Sequence, residues 1–321
     1  MSDEHTPRTD GGTVATGERR SRIRNGRDGQ SGDPSDSASE FTGEDLVISY
    51  PTSDEPVIGG ESIRVSPGEV TALVGPNGSG KSTMLKGLAN QIPLDGGTVL
   101  LDGKDIHSLA TKELARKLGL LSQENVSPGS LTVENLVEHG RYPHRGFFDS
   151  MTDADEAAIE GAISLAGVEH LREREVGSLS GGQKQLVWIA MVLAQDTDVL
   201  LLDEPTTFLD LHHQLEVMEI IETLRDESDI TVVLVLHDVS QAARYADQMV
   251  ALKDGSVCAR GSPDEVLTEE LLADVFEIEA TVSPSNHGPQ IMPLRPLHES
   301  EAEEETAEAV DDSDPSGRSA E

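Results

Sequence analysis

Eight consecutive residues, Gly75-Pro76-Asn77-Gly78-Ser79-Gly80-Lys81-Ser82, fit GxxxxGK[ST] at every fixed position, and Thr83 follows them. The chemistry this pattern supports is phosphate binding. Its glycines let the backbone curl so that successive N–H groups point inward at oxygen anions. Lys81 adds a point charge for the β- and γ-phosphates of a nucleoside triphosphate, and the Ser82 hydroxyl is a Mg²⁺ ligand. A second pair of groups lies far downstream, where Asp203 and Glu204 end an apolar run. Asp203 would hold the Mg²⁺ through water. Glu204 would face the γ-phosphate and polarise the attacking water as general base. Alone, each cluster could be a chance turn; together they describe transfer of the terminal phosphoryl group of a nucleoside triphosphate to water, with Mg²⁺.

Such groups need a scaffold that holds them at one edge. Glu69 to Val74 reads as a short strand entered through the Pro67-Gly68 turn, and Ser82 to Asn90 as the helix that follows the cradle. That helix brings its positive end to the phosphates. Asp198 to Asp203 reads as a strand buried on both faces of a parallel sheet. Ligands in such sheets sit at the carboxyl ends of the strands. Apolar strands alternate with amphipathic helices over roughly 255 residues, so the expected class is α/β with a mainly parallel sheet.

Composition bounds the rest. The chain has 321 residues, 60 acids and 24 Lys and Arg, for a formal charge of −36. That charge speaks against a nucleic-acid binder, so no nucleic-acid partner is expected. The last 23 residues contribute −9 and the first 40 only −2, leaving −25 on the part expected to fold. Self-repulsion of that size opposes compaction. Near 1 M salt the Debye length is about 3 Å, so a salt-rich, halophilic cytosol is expected. Residues 1–42 and 299–321 read as disordered, the second as an acidic tail, around a domain at 43–298. Arg19-Arg20 has no apolar stretch after it and so does not read as an export signal. No run approaches the ~20 apolar residues of a membrane span, so a membrane role is expected through a partner.

Leu179-Ser180-Gly181-Gly182-Gln183 lies between the two clusters. LSGGQ in that place resembles the signature of the ABC ATPase family, and the resemblance runs from about residue 43 to 296. It implies a P-loop NTPase core, an antiparallel β-subdomain, and an inserted helical subdomain at about 124–178. Tyr50 falls where that family has an aromatic on the adenine. Gln123 matches the glutamine that senses Mg²⁺ and the attacking water. Asp210, in Leu209-Asp210, matches the D-loop, and His237 matches the switch histidine on the γ-phosphate. The resemblance also implies a head-to-tail homodimer. Ser180, Gly181, Gly182 and Gln183 of one copy then roof the ATP held by the other's phosphate loop. Ser180 to Gly182 open a helix, which suits an anion. The helix behind them, Gln185 to Ala194, is apolar nearly all round and should be buried.

Gly140-Arg141-Tyr142-Pro143-His144 and Pro205 to Gln214 resemble the branch serving importers of iron(III)–siderophore, haem and cobalamin. That branch implies two membrane-spanning permease subunits, an extracytoplasmic binding protein, and a place on the cytoplasmic face of the membrane. Many members of the family carry basic residues just after the signature; Leu186 departs from that pattern, beside Lys184. A soluble ABC ATPase of DNA repair or translation is the alternative. The 99 positions from Lys81 to Ser180 hold no heptad array, and there is one set of motifs, which argues against it. His212-His213 does not read as a metal pair, because adjacent helical residues face different sides. Cys258 reads as a small buried residue in the Ser256 to Ala259 strand. His139, His144 and Arg145 read as a contact surface or a solvated loop.

Overall fold

The computed structural model describes residues 39–297 apart from 53, 54, 124, 127, 147 and 148. The expected acidic tail and nearly all of the expected disordered N-terminal segment lie outside the described residues. The chain forms strands β1 (Phe41–Ile48), β2 (Ile58–Val65) and β3 (Val70–Val74), then helix α1 (Lys81–Leu88). Next come β4 (Gly96–Leu101), β5 (Lys104–Asp105), α2 (Thr111–Lys117) and β6 (Leu118–Leu121). Helices α3 (Val133–Glu138), α4 (Asp153–Leu165) and α5 (Gly181–Ala194) follow. The second half runs β7 (Val199–Asp203), α6 (Leu211–Glu227), β8 (Thr231–Val235), α7 (Val239–Tyr245), β9 (Gln248–Lys253) and β10 (Ser256–Gly261). It closes with α8 (Pro263–Val266), α9 (Glu269–Phe276), β11 (Ile278–Ser283) and β12 (Gln290–Pro296).

The central sheet has the order β10-β9-β3-β8-β7-β6. Its strands are parallel except β10, which is antiparallel to β9. Every residue of β3, β7 and β8 is buried, as near-continuous apolar runs require when both faces are covered. The period of two divides those residues between two cores. Ala72, Leu200, Leu202, Val232 and Leu234 enter a core shared with the helical segment 133–194 and with α6 and α7. Leu73, Val199, Leu201, Val233 and Val235 enter a second core with α1 and an antiparallel sheet of order β2-β1-β4-β5. The α/β class and the antiparallel subdomain are as expected.

Three sequence expectations are corrected. Phe41 and Thr42, assigned to the disordered segment, open β1, and Phe41 is fully buried. A lone aromatic is diluted in any composition window that also covers the polar residues before it. Cys258 is exposed, because β10 is an edge strand and Ser256, Cys258 and Arg260 share its outer face. In α5, Leu186 and Ile189 are buried, whereas Trp188 and Met191 are only partly covered.

Candidate functional site

The parallel sheet brings the expected groups to one edge. Gly75 follows β3, Glu204 follows β7, His237 lies two residues past β8 and Gln123 two past β6. These strands are neighbours in the order β3-β8-β7-β6, so four carboxyl ends deliver four segments to one place. The loop after β3 is glycine for a local reason. Gly75 has φ 147, and a Cβ there would collide with the Leu252 carbonyl and lie 2.8 Å from Ser79 Oγ. Gly80, with φ 96, is the N-cap of α1. Pro76, Asn77 and Gly78 form the crest, and the buried Ser79 hydroxyl has no hydrogen-bond partner among the described residues.

Lys81 is buried and folds back on its own loop, donating to Gly75 O and Pro76 O, both at 2.8 Å. Burial lowers its pKa, against an opposing pull from the charges of Glu204 and Asp203. Ser82 Oγ donates to Asp203 Oδ1 at 2.7 Å. The other carboxylate oxygen, Asp203 Oδ2, is buried without a hydrogen-bond partner among the described residues; Lys86 Nζ stands 3.7 Å away. A hydroxyl beside an orphaned carboxylate oxygen fits a hard divalent cation such as Mg²⁺. Sequence reasoning missed Lys86, which lies four residues after Ser82 and so on the same helix face.

Glu204 has φ 52, an uncommon backbone conformation for a residue with a side chain. Its carboxylate is held from three sides. His237 Nε2 lies 2.6 Å from Oε1, Gln123 Nε2 donates to Oε2 at 2.7 Å, and Thr207 Oγ1 donates to Oε2 at 3.1 Å. Thus Gln123, Glu204 and His237 do converge; Thr207 is an addition to which the sequence assigned no role. Tyr50 leans on the phosphate loop, its hydroxyl 3.3 Å from Thr83 Oγ1.

The signature forms a second piece. Ser180 is the N-cap of α5: its Oγ accepts from Gln183 N at 3.2 Å while Gln183 Oε1 accepts from Ser180 N at 3.2 Å. The capping box leaves the N–H groups of Gly181 and Gly182 in the first turn without intrahelical partners. Among the described residues no hydrogen bond joins Ser180 to Gln183 with Gly75 to Thr83. Asp210 caps α6, with Oδ1 accepting from His213 N at 3.0 Å. Gln185 Nε2 ties α5 to the Glu204 segment through Pro205 O at 2.9 Å.

His139, His144 and Arg145 are each partly buried and bonded to a backbone carbonyl, His139 Nδ1 to Asn135 O at 2.6 Å and Arg145 Nη2 to Asp149 O at 3.0 Å, while Tyr142 between them is exposed. Arg141 is buried, bonded to Asp155 Oδ1 at 2.9 Å and to Ala194 O at 2.8 Å. His144 Nε2 meets Gln195 O at 2.7 Å, and burial lowers its pKa. Both side chains satisfy carbonyls that the end of α5 leaves open.

The sequence profile of the ABC transporter family matches residues 59–207. The ferric enterobactin transport ATP-binding protein FepC of Escherichia coli (strain K12) is 41% identical over 261 residues, 81% of this chain and 96% of FepC. The chain belongs to the ABC transporter family. The iron(3+)-hydroxamate import ATP-binding protein FhuC of Bacillus subtilis (strain 168) is 43% identical over 239 residues, 74% of this chain and 88% of FhuC. Among solved structures, an inward-facing transporter described as of the metal-chelate type superposes with TM-score 0.68 and 26% identity, covering 80% of this chain and 98% of that one. A dimeric ABC cassette, MJ0796 with ADP and Pi in a post-hydrolysis state, superposes with TM-score 0.61 at 28% identity, covering 69% and 98%. The chain is therefore an ATP-binding cassette that hydrolyses ATP. No helix among the described residues is long and apolar enough to cross a membrane.

Proposed function

We propose that this chain is the energising subunit of an importer for an iron(III)–siderophore, haem or cobalamin, and that two copies work on one pair of permease subunits at the cytoplasmic face of the membrane. An extracytoplasmic binding protein would present the cargo. Support for the branch comes from relatives that serve ferric enterobactin and iron(3+)-hydroxamate transport. The observation that carries the enzymatic reading is the convergence of Ser82–Asp203 and Gln123–Glu204–His237 on one sheet edge.

Each residue then has a task. The N–H groups of Gly75 to Thr83 and the Lys81 ammonium bind the triphosphate, and Tyr50 flanks the base. Lys81 holds its place by bonding two carbonyls, which a phosphate can replace. Ser82, Asp203 and Gln123 would hold Mg²⁺, which when bound neutralises phosphate charge. Glu204 takes a proton from the attacking water, and His237 fixes that carboxylate and reaches the γ-phosphate. The signature of the second copy, Ser180 to Gln183, closes over the triphosphate with its free N–H groups, and Asp210 edges the same interface. ATP binding closes the pair and hydrolysis reopens it. Residues from Phe41 to about 298 act as one cassette, with about 124–178 as the part that meets the permease. The acidic surface fits a salt-rich cytosol. The test is to reconstitute the chain with its permease and measure ATPase rates with ferric catecholate, ferric hydroxamate, haem and corrinoid. Stimulation by one of these on a loaded binding protein is expected; equal rates with all and with none would overturn the importer assignment.

A further inference from the structure

His213 has no task in the scheme above, yet it touches two of its parts. It lies in the first turn of α6. Its side chain is 21% exposed, against 78% for its neighbour His212. On one side the imidazole lies directly against Gly182. A Cβ added there would collide with the face of the ring, 2.2 Å from Cδ2, 2.3 Å from Cγ and 2.6 Å from Nε2. On the other side Nδ1 lies 2.8 Å from Asp210 Oδ1, the same oxygen that accepts the His213 backbone N–H. A carboxylate partner makes Nδ1 the N–H nitrogen, so the Asp210 bond fixes the ring orientation. Only glycine leaves room for the ring under the signature turn.

The contact joins segments that are far apart in the chain. The turn from Glu204 to Asp210 follows β7, whereas Gly182 opens α5. The Nδ1–Oδ1 bond ties the ring to Asp210 and the ring lies against Gly182, so a displacement of Asp210 carries the ring with it, and the ring carries or releases Gly182. We propose that His213 is a positioning residue that sets the height of the Gly181 and Gly182 N–H groups according to the position of the Asp210 loop. The signature then presents its donors to the other copy's triphosphate only when that loop is in its place. This inference rests on the two-copy arrangement proposed above.

The experiment uses full-length Glu204→Gln protein, in which turnover of bound ATP is expected to be slowed, and follows dimer formation by light scattering as ATP with Mg²⁺ is raised. His213→Ala, His213→Asn and His213→Phe are added singly. Asn retains a donor for Asp210 without the ring; Phe retains a ring without the donor. In His213→Ala the ATP concentration for half-dimerisation should rise about tenfold or more, as expected for donors misplaced by a fraction of an ångström. Fluorescent-ATP affinity of the monomer and the melting temperature should stay at the parent values. Asn and Phe should each recover part of the loss, since each restores one of the two contacts. Dimerisation of His213→Ala at the parent ATP concentration would overturn the inference. So would a matched fall in monomer affinity and melting temperature in all three variants, which marks a merely structural role. A Glu204→Gln parent that stays monomeric would instead sink the two-copy arrangement, and the inference with it.

Discussion

Replacing Glu204 by Gln isolates the proposed base from everything that holds it. The amide is nearly isosteric, and its three neighbours can adapt: Thr207 Oγ1 can accept instead of donate, and the Gln123 amide can turn over to offer its oxygen. His237 at 2.6 Å keeps an acceptor if the new carbonyl oxygen takes the place of Oε1. The hydrogen-bond loss is then about 1 kcal/mol, too little to unfold the cassette. What disappears is the group able to accept the water's proton. General-base catalysis is worth about 10²–10⁴-fold, or roughly 3–5 kcal/mol in the barrier. Phosphate release should therefore fall by that factor, while fluorescent-ATP affinity stays within about threefold, because no proposed phosphate contact is removed. Single-turnover measurements with excess enzyme separate the chemical step from product release. Turnover within tenfold of the parent would refute Glu204 as base, whatever became of binding.

Lys81→Ala should abolish measurable ATP affinity by equilibrium binding, because a buried ammonium in the cradle is lost; unchanged affinity would contradict the assignment of Gly75 to Thr83. Asp155→Ala strands the buried Arg141 guanidinium and should cost about 3–5 kcal/mol in denaturant melts, since breaking a buried pair leaves an uncompensated charge. Burial would raise the Asp155 pKa, but hydrogen bonds from Thr152 and Arg141 outweigh it and hold the carboxyl below its ordinary value. Its stabilisation is thus complete above about pH 4 and disappears as pH falls through the lowered value, and Asp155→Asn should flatten that acid limb. The melting temperature of the parent should climb as KCl rises from about 0.1 M to 1 M, where the Debye length shrinks from about 10 Å to 3 Å; a flat response would remove the halophilic reading.

What the sequence revealed follows from how local each feature is. The phosphate loop and the acids after β7 are contiguous, and the strand and helix beside them carry their own periodicity, so they were legible directly. Gln123 and His237 are single residues after unremarkable strands; only resemblance marked them, and their joint hold on Glu204 needed coordinates. Thr207, Lys86 and the His213–Gly182 contact were not legible, because each depends on how separate segments meet after folding. Gly140 to His144 was legible as a motif but not as a cap for α5, whose end lies some fifty residues downstream. Cys258 was misjudged because apolar character alone does not say which face of an edge strand looks outward.

The most direct test of the shared-site account mixes two dead proteins. Lys81→Ala cannot hold ATP, and Ser180→Arg cannot roof the other copy's ATP. A mixed pair contains one whole site, built from the intact phosphate loop of the Ser180→Arg copy and the intact signature of the Lys81→Ala copy. Random pairing makes roughly half the dimers mixed, so roughly a quarter of all sites are restored. The account predicts ATPase activity well above either protein alone, rising to a maximum at equal amounts; a mixture as inactive as its components at every ratio would contradict it.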